Sequence, residues 1–354
     1  MPERLLVTGA AGFIGANFVR YWMQHYPEDE IVAFDALTYA GNSVSLDSVQ
    51  GSDQFHFIHA NICDFDLVLA TLRDHAITTI VHFAAESHVD RSISGPDMFI
   101  ETNVVGTHSL LKAAREHWLG KGETAHRFHH VSTDEVYGTL SAGAPAFTEH
   151  HQYQPNSPYS ASKAASDHLV RAYHHTYDLQ VTTSNCSNNY GPYHYPEKLI
   201  PLCLTNVLRG RPLPVYGDGS NIRDWLYVED HCRGIELVIK HGEIGRTYNI
   251  GGNNERSNLK IVEQLCDRMD DRFSAQPTLA QRYPDSPCAQ GRSARELIHF
   301  VEDRAGHDWR YAIDASLITT RLGYQPQESF ETGLDKTLDW FLGNESWWRP
   351  LLAP

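Results

Sequence analysis

The stretch that decides the fold is Gly9–Gly15, which reads GAAGFIG and follows the apolar segment Leu5–Val7 after a single threonine. Its GxxGxxG spacing is one residue looser than the GxGxxG pattern of dinucleotide-binding turns. Glycines at these positions let the backbone turn tightly and approach a pyrophosphate, which then lies at the positive end of the following helix. The stretch therefore predicts a strand, a tight turn and a helix, with a dinucleotide bound at the turn.

Outward from this turn, short apolar runs alternate with amphipathic stretches, which is the pattern of βαβ units. It predicts an α/β protein with a Rossmann-like, doubly wound parallel sheet. We expect Ser157 to cap the helix that follows it, and Val104, Leu110, Leu111 and Ala114 to form the apolar face of the helix before it. The predicted strands are 4–8, 30–34, 54–59, 79–83, 128–131 and 181–185, and the helices are 12–24, 66–75, 98–117 and 158–177.

The second half of the chain has a different character. Proline, glycine and tyrosine cluster in 190–196 and 212–219, which favours loops and short strands over further βα units. Helices are predicted over 230–240, 259–269 and 330–342, and a strand over 246–250. We expect a dinucleotide-binding Rossmann domain over 1–185, to which the segment 222–251 returns, and a smaller α/β substrate-binding lobe over 186–354.

Composition limits the possible partners. The chain has 354 residues and a formal net charge of −15, which disfavours nucleic acid and anionic membranes. Apolar runs stay below the roughly 18 residues that a membrane span needs, and six cysteines without paired spacing favour a reducing compartment, so we expect a cytoplasmic protein. No metal is expected, because the histidine doublets 129–130, 150–151 and 174–175 fit no metal-ligand spacing.

The cofactor prediction is sharpened by Asp35, which lies twenty residues after Gly15 at the end of the second predicted strand. An acid at this place can hold both ribose hydroxyls of an adenosine and repels a 2′-phosphate, so NAD is favoured over NADP. Asn61 and Ile62, after the third strand, would lie near the adenine. Ala84 and Ala85, after the fourth strand, would allow close approach of the pyrophosphate and the nicotinamide ribose.

Two stretches carry candidate chemistry. Ser132–Gly138 reads STDEVYG and follows the fifth strand, and Tyr159 and Lys163 share one face of the helix predicted over 158–177. A free phenol is a poor base at neutral pH, but a neighbouring ammonium and an oxidised nicotinamide lower its pKa. Tyr159 then becomes a usable base for an alcohol that loses a hydride.

These motifs together resemble the extended short-chain dehydrogenase/reductase family, and more narrowly its nucleotide-sugar 4,6-dehydratases. The likeness runs nearly end to end, through the stretches 37–42, 84–92, 132–138, 188–201, 222–231, 248–252 and 303–308. It implies that Thr133, Tyr159 and Lys163 are the catalytic hydroxyl, base and lysine. It implies NAD contacts from Gly9, Gly12, Phe13, Ile14, Gly15, Asp35, Leu37, Thr38, Asn61, Ile62, Ala84, Ala85, Ser87, Asn103, Tyr159 and Lys163.

The adjacent acids Asp134 and Glu135 distinguish the dehydratases within this family. The resemblance implies oxidation at C4 of the hexose, removal of the C5 proton by Glu135, protonation of the departing 6-hydroxyl by Asp134, and hydride return to C6. Two neighbouring carboxylates in a closed pocket should have their pKa values pushed apart, as an acid and a base require. The alternative from the residues alone is that both acids simply begin a short helix, where negative charge is favoured.

The resemblance implies dTDP-glucose as the substrate, with another nucleotide diphosphohexose as the alternative. Implied substrate contacts are Ser87, Thr133, Asn188, Glu197, Lys198, Leu199, Arg223, Asn258, Arg304 and His307. The cations among them would offset the diphosphate in an acidic chain. Asn61, Ala36 and Ala305 depart from the family pattern, which commonly has Asp, Lys and Pro there; the first two affect the adenine side and the third the phosphate loop.

Other functions remain open at this stage. An epimerase or a decarboxylase of the same fold is one alternative, and a NAD-sensing regulator without turnover is another. The intact set of Thr133, Asp134, Glu135, Tyr159 and Lys163 argues against a regulator. The resemblance also implies a homodimer in which the helices over 98–117 and 158–177 pair across a two-fold axis into a four-helix bundle.

Overall fold

A computed structural model describes residues 2–123 and 125–352 of the chain. Its strands, in chain order, are β1 Arg4–Thr8, β2 Glu30–Asp35, β3 Phe55–His59, β4 Thr79–His82, β5 Arg127–Thr133, β6 Val181–Cys186, β7 Asn188–Tyr190, β8 Leu213–Tyr216, β9 Ile222–Tyr227, β10 Thr247–Ile250, β11 Glu255–Ser257 and β12 Ile298–Val301. Its α-helices are α1 Phe13–His25, α2 Phe65–Asp74, α3 Val89–Ser94, α4 Asp97–Phe99, α5 Thr107–Trp118, α6 Pro158–Tyr177, α7 Leu199–Leu208, α8 Val228–His241, α9 Asn258–Ala275, α10 Pro277–Arg282, α11 Ser316–Leu322, α12 Phe330–Gly343 and α13 Glu345–Trp348. A π-helical segment, Ile100–Gly106, joins α4 to α5, and short 3-10 turns complete the described structure.

The main sheet is parallel and has the strand order β10-β6-β5-β4-β1-β2-β3. Leu5 and Val7 of β1 pack towards α1 and α8, whereas Leu6 packs towards α2 and α5 on the other face. Both faces are thus covered, and this explains why the strand is a continuous apolar run rather than an alternating one. Strands β2 and β3 lie on one side of β1, and β4, β5 and β6 lie on the other side. The strand order thus reverses between β1 and β4, and a ligand cleft is expected at the carboxyl ends of these two strands.

The predicted α/β class and parallel sheet are confirmed. Helix α6 spans the predicted residues, and Ser157 caps it through reciprocal hydrogen bonds with Ser160. Pro158 occupies the first turn, where its missing N–H costs nothing. The local sequence therefore determines where this helix begins, and with it the position of Tyr159.

The single helix predicted over 98–117 is wrong in detail, because residues Ile100–Gly106 form π-helical turns. Asn103 turns inwards and is 1% exposed, and the Thr107 hydroxyl donates to its carbonyl at 2.6 Å. The wider turns rotate the helix face, so Val104 is only half-buried, whereas Leu110 and Leu111 are fully buried as predicted. A regular helical period could not reveal this shift, since it depends on the Asn103 contacts.

The second half contains more regular structure than its composition indicated. Helix α7 was not predicted, and α9 extends to Ala275. Strand β10 pairs with β6 in the main sheet, and α8 packs on α1. Strand β9 does not join that sheet; it pairs with β7 and β11 instead.

A separate apolar core lies among α7, α9 and α12, and Leu204, Leu265 and Leu338 are all fully buried in it. This core is distinct from those on the two faces of the main sheet. The division of the chain at residues 185 and 186 remains a prediction. Of the helices in the described ranges, each is too short or too polar to cross a bilayer.

Candidate active site

A cavity of about 380 Å³ lies at the carboxyl ends of the main-sheet strands. Strand ends, the glycine turn and the start of α7 all contribute to its wall. It brings together most of the residues that the sequence selected, including all of the proposed catalytic ones. The predicted residues in its lining are Gly9, Gly12, Phe13, Ile14, Gly15, Asp35, Thr38, Asn61, Ile62, Ala84, Ala85, Ser87, Thr133, Asp134, Glu135, Tyr159, Lys163, Asn188, Glu197, Lys198 and Leu199.

The glycine turn has the close backbone packing that a dinucleotide cradle needs. Gly9 has a φ of +67°, and a Cβ at Gly15 would lie 2.1 Å from the Gly9 carbonyl oxygen. Gly12 precedes α1 without a side-chain cap, so the first N–H groups of that helix are free to meet an anion. These residues fit the pyrophosphate of NAD.

Asp35 organises the neighbouring ribose site. Its Oδ2 accepts a hydrogen bond from the Ala11 N–H at 2.8 Å, and its Oδ1 accepts one from the Leu37 N–H at 2.8 Å. Leu37 itself has a φ of +48°, a conformation that wraps the following loop around the carboxylate. Each carboxylate oxygen can accept more than one hydrogen bond, so Asp35 can still receive both ribose hydroxyls.

The STDEVYG stretch turns sharply at the end of β5. The Thr133 hydroxyl accepts a hydrogen bond from the Glu135 N–H at 3.3 Å and caps the 3-10 turn Asp134–Tyr137. The two acids therefore do begin a short helical turn, as the alternative interpretation had it. They also line the cavity beside Tyr159, so the turn presents them to a ligand as well as to its own backbone.

The two carboxyl groups have different surroundings. Burial, and then the charge of Glu135, raise the pKa of Asp134 well above its usual range. Desolvation also raises the pKa of Glu135, but Arg304, Arg223 and Lys198 oppose that increase. The arrangement thus favours a protonated Asp134 beside an ionised Glu135.

Tyr159 and Lys163 are both almost fully buried. Burial is the main cause of the raised pKa of Tyr159; the Glu135 charge adds to it, and the Thr133 hydroxyl opposes it. The Lys163 ammonium donates to the Val131 carbonyl at 2.9 Å, and burial lowers its pKa. Without the cofactor, the phenol is held in its neutral form, so the lowering predicted from the sequence must come from the charge that a bound nicotinamide adds.

Several buried polar atoms around the cavity lack hydrogen-bond partners. They include Asp134 Oδ2, Asn188 Oδ1, Glu197 Oε1 and Arg304 Nε. Buried polar atoms are rarely left unsatisfied in folded proteins, so each exception calls for an explanation. Three of them belong to residues that line the cavity, Asp134, Asn188 and Glu197, where a polar ligand would supply the missing partners.

Some predicted contacts lie outside the cavity lining. Asn103 bonds with both its oxygen and its nitrogen to the Glu86 backbone, at 2.9 and 3.0 Å, and so supports the wall; its contact with NAD stays a prediction. The remaining predicted residues outside the lining are Leu37, described above, and Arg223, Asn258, Arg304 and His307.

Arg223 and Arg304 supply positive charge beside the cavity, and His307 lies near them, where burial and the Arg304 charge lower its pKa. Arg223 is 5% exposed and donates to the backbone carbonyls of Ile222, Trp309 and Asp308. Arg304 contacts Asp90 at 3.1 Å. His307 lies 2.6 Å from Asp303, and Asn258 begins α9 with its N–H donating to the Asn221 carbonyl.

Sequence reasoning missed several lining residues. Cys186 ends β6, His194 stacks on Phe13 with ring centroids 4.2 Å apart, and Tyr39 lies under the Arg91 guanidinium. Cys186 could have been predicted to line the cavity because it ends a strand next to β5, and the carboxyl ends of adjacent parallel strands share one edge of the sheet. No sequence signal distinguishes His194 from the other histidines of the chain.

The histidine doublets do not come together as a metal site. His129 lies within hydrogen-bond distance of Thr182 and Ser184, and His130 lies 3.0 Å from Asp167. Elsewhere in the described residues, Glu30, His56 and His75 bring possible ligand atoms within 4.8 Å of one another near the amino ends of β2 and β3. That group is remote from the cavity, so the absence of a catalytic metal stays a prediction.

The fold and cavity define a class, namely Rossmann-fold enzymes of the short-chain dehydrogenase/reductase type that use NAD. Within that class, the family model for GDP-mannose 4,6 dehydratase matches residues 6–337. The chain belongs to this family of nucleotide-sugar dehydratases.

Individual relatives carry the name of a more specific activity than the family does. A dTDP-glucose 4,6-dehydratase from Escherichia coli is 50% identical over 360 residues, covering 99% of this chain and 96% of the relative. The crystal structure of a Streptomyces venezuelae dTDP-glucose 4,6-dehydratase, with NAD bound, is 46% identical with a TM-score of 0.87, covering 99% of this chain and 100% of the other. The Bacillus anthracis enzyme of the same name, in complex with NAD, is 42% identical with a TM-score of 0.84, covering 99% of both chains.

Proposed function

We propose that this enzyme converts dTDP-glucose into dTDP-4-keto-6-deoxyglucose and water, using NAD that is regenerated in each cycle. The observation that carries the proposal is one cavity that holds the Asp134–Glu135 pair beside Tyr159 and Lys163. Relatives at 42 to 50% identity over nearly the whole chain bear the name of this activity. Such products supply the synthesis of deoxysugars, for example the dTDP-rhamnose pathway.

The first step is oxidation at C4 of the hexose. Tyr159 removes the proton of the C4 hydroxyl, and Thr133 hydrogen-bonds the same oxygen. When bound, NAD takes the C4 hydride, later returns it to C6, and brings positive charge near the Tyr159 phenol. The Lys163 ammonium adds to this charge, and together they offset the effect of burial on the pKa of Tyr159.

The second step is loss of water across C5 and C6. The C4 ketone acidifies the C5 proton, which Glu135 removes as an ionised base. Asp134, held neutral by burial and by the Glu135 charge, donates a proton to the departing 6-hydroxyl. When the hydride reaches C6, Glu135 gives its proton back to C5, so the product differs from the substrate by one water. Two acids with opposite tasks therefore receive suitable protonation states from their surroundings.

The substrate diphosphate is assigned to the cationic side of the cavity. Lys198 lines it, and Arg223 and Arg304 are close enough to lower the pKa of Glu135. Arginine can bind phosphate oxygens in pairs, and the Arg223 guanidinium is already fixed by backbone carbonyls. Other substrate contacts in this proposal are Ser87, Thr133, Asn188, Glu197, Leu199, Asn258 and His307.

A homodimer is part of the same proposal. Large apolar side chains are exposed on the helical stretch 97–118, with Met98 at 56%, Ile100 at 49% and Val105 at 44%. Tyr177, at the end of α6, is 37% exposed. Pairing of these two helices with their copies would bury this surface in a four-helix bundle. We further propose a cytoplasmic location and a division into a NAD-binding part, 1–185, to which the segment of about 222–251 returns, and a nucleotide-sugar lobe over 186–354.

The function is tested by incubating the purified protein with dTDP-, UDP-, CDP- and GDP-hexoses and measuring products by mass spectrometry. Loss of one water from dTDP-glucose, faster than from the other substrates, is the expected result. Preferential turnover of GDP-mannose would support the alternative that the substrate is another nucleotide diphosphohexose. The family model that matches the chain is described by that substrate. Conversion without a change of mass would indicate an epimerase, and the dehydratase proposal would then be wrong.

A further inference from the structure

A buried carboxylate next to the catalytic groups has no part in the steps described above. Asp167 is one helical turn after Lys163 on α6 and is 6% exposed. Its Oδ1 lies 3.0 Å from His130 Nε2, and its Oδ2 accepts a hydrogen bond from the Ser132 hydroxyl at 2.9 Å. A buried carboxylate is costly unless it is paired, so this arrangement calls for an explanation.

Asp167 joins the two elements that carry the chemistry. His130 and Ser132 are two residues apart on β5, so both face α6. Between them, the Val131 carbonyl accepts the hydrogen bond from Lys163 at 2.9 Å. Three consecutive residues of β5 are thus bonded to one face of α6, immediately before the strand delivers Thr133 and the acid pair.

We infer that Asp167 is a positioning residue of the reaction. Its carboxylate fixes the end of β5 against α6, and its negative charge keeps the buried Lys163 ammonium protonated beside Tyr159. Lys163 has its hydrogen bond to a neutral carbonyl, and the Asp167 charge opposes the effect of burial on the pKa of Lys163. Because this role lies in C4 oxidation, it rests on the proposed function.

The surroundings of Asp167 define when it carries its charge. His130 and Ser132 face it from β5, Lys163 and His168 from α6, and Tyr153 from the preceding loop. Burial raises the pKa of Asp167 to about 6, whereas Lys163 and the Ser132 hydroxyl lower it. His130 is kept neutral, because burial and the Lys163 charge lower its pKa well below its usual range. The carboxylate is therefore ionised at neutral pH and becomes protonated near pH 6.

The test is single-turnover reduction of the bound NAD by dTDP-glucose, followed against pH at saturating substrate. Asp167→Asn should move the alkaline decline of this rate down by about one pH unit, because Lys163 then loses its proton more easily. KM for dTDP-glucose should be unchanged. Asp167→Glu should restore the wild-type profile, and Asp178→Asn, which removes an exposed acid just beyond the same helix, should leave it unchanged. An equal loss of rate at every pH in Asp167→Asn would show a merely structural role and overturn the inference.

A second variant decides the matter if Asp167→Asn does not fold. Ser132→Ala removes a hydrogen bond that lowers the pKa of Asp167, so the acid decline of the reduction rate should move to higher pH. An unshifted acid decline in Ser132→Ala would overturn the inference. Water loss is measured in parallel by mass spectrometry: a wild-type protein that reduces NAD without losing water refutes only the proposed function, and one that reduces no NAD refutes both.

Discussion

At the scale of single residues, Asp134 and Glu135 are neighbours in the chain but differ in their electrostatic surroundings. Asp134 is 1% exposed, and its Oδ2 has no hydrogen-bond partner. Burial raises the pKa of Glu135, and the charges of Arg304, Arg223 and Lys198 oppose that increase. The sequence predicted that the two pKa values would separate, but not which residues separate them, because the three cations are 63 to 169 positions further along the chain.

The acid and base assignments predict a separation of two measurable steps. In Asp134→Asn, exchange of the C5 proton with solvent should continue while water loss slows by about 10² to 10³-fold, since only the proton donor is missing. In Glu135→Gln, exchange itself should stop. Incubation in D₂O followed by NMR of the recovered sugar measures exchange, and mass spectrometry measures water loss.

Tyr159→Phe provides the control for these two variants. Without the C4 ketone the C5 proton is not acidic, so both exchange and water loss should disappear. Normal exchange in both Asp134→Asn and Glu135→Gln would show that the assignment of acid and base is wrong.

The pH dependence of elimination follows from the same contacts. Glu135 acts when ionised, so the rate should rise with pH through its raised pKa; Asp134 acts when protonated, so the rate should fall as pH passes its own pKa. Arg304→Gln removes the charge that lowers the pKa of Glu135 most strongly, so the acid side of the profile should move up by about half a pH unit. The measurement is kcat against pH at saturating substrate.

Arg292→Gln serves as the matched control, because it removes an exposed arginine whose side chain pairs with Glu296 and Gln290. Its profile should match the wild type. If Arg304→Gln moves the acid side to lower pH, the electrostatic account of Glu135 is incorrect.

At the scale of elements, all five proposed catalytic groups lie on β5, on the 3-10 turn Asp134–Tyr137 that follows it, and on α6. The bounds of α6 could be predicted, since it begins at a capping serine followed by proline, whereas β5 extends beyond the predicted residues 128–131 at both ends. The π-helical segment Ile100–Gly106 and the strands β7, β9 and β11 could not. The first depends on the inward turn of Asn103, and the strands pair with segments about 30 or more residues away, which a local pattern does not encode.

The cap of α6 links the stability of that helix to activity. Ser157→Ala should lower the stability by about 1 kcal/mol, because two N-terminal hydrogen bonds are lost. It should also lower kcat by about threefold, since Tyr159 lies in the first turn. Thermal unfolding and steady-state kinetics measure the two effects.

Ser329→Ala is the comparison, because Ser329 caps α12 by the same kind of hydrogen bond at 3.2 Å. It should cost similar stability and leave kcat unchanged. An equal loss of kcat in both variants would mean that general destabilisation, rather than the placement of Tyr159, limits turnover.

At the scale of the whole molecule, the cavity depends on segments from both halves of the chain. The sheet supplies the cofactor cradle, and the segments around Lys198, Arg223 and Arg304 supply positive charge. The parallel sheet and its cradle could be predicted from the glycine turn and the βα alternation. The cationic side could be named only through the family resemblance, because no local motif brings Arg223 and Arg304 to the same place.

The proposed dimer gives a prediction at this scale. Ile100→Glu together with Val105→Glu should convert the dimer into monomers, since charges would be buried in the bundle. Sedimentation analysis over a range of concentrations measures the mass. Phe300→Glu, which replaces an equally exposed apolar residue at 53% exposure on β12, should leave the dimer intact. A wild-type protein that is monomeric at all concentrations would contradict the proposed assembly.

The central claim is that one active site oxidises C4, removes water and reduces C6 with the same hydride. The most direct measurement uses dTDP-glucose carrying deuterium at C4, with mass spectrometry and NMR of the product. The account predicts a product lighter by one water that retains the deuterium, now at C6, without added reductant. Deuterium that remains at C4, or a product without water loss, would contradict it.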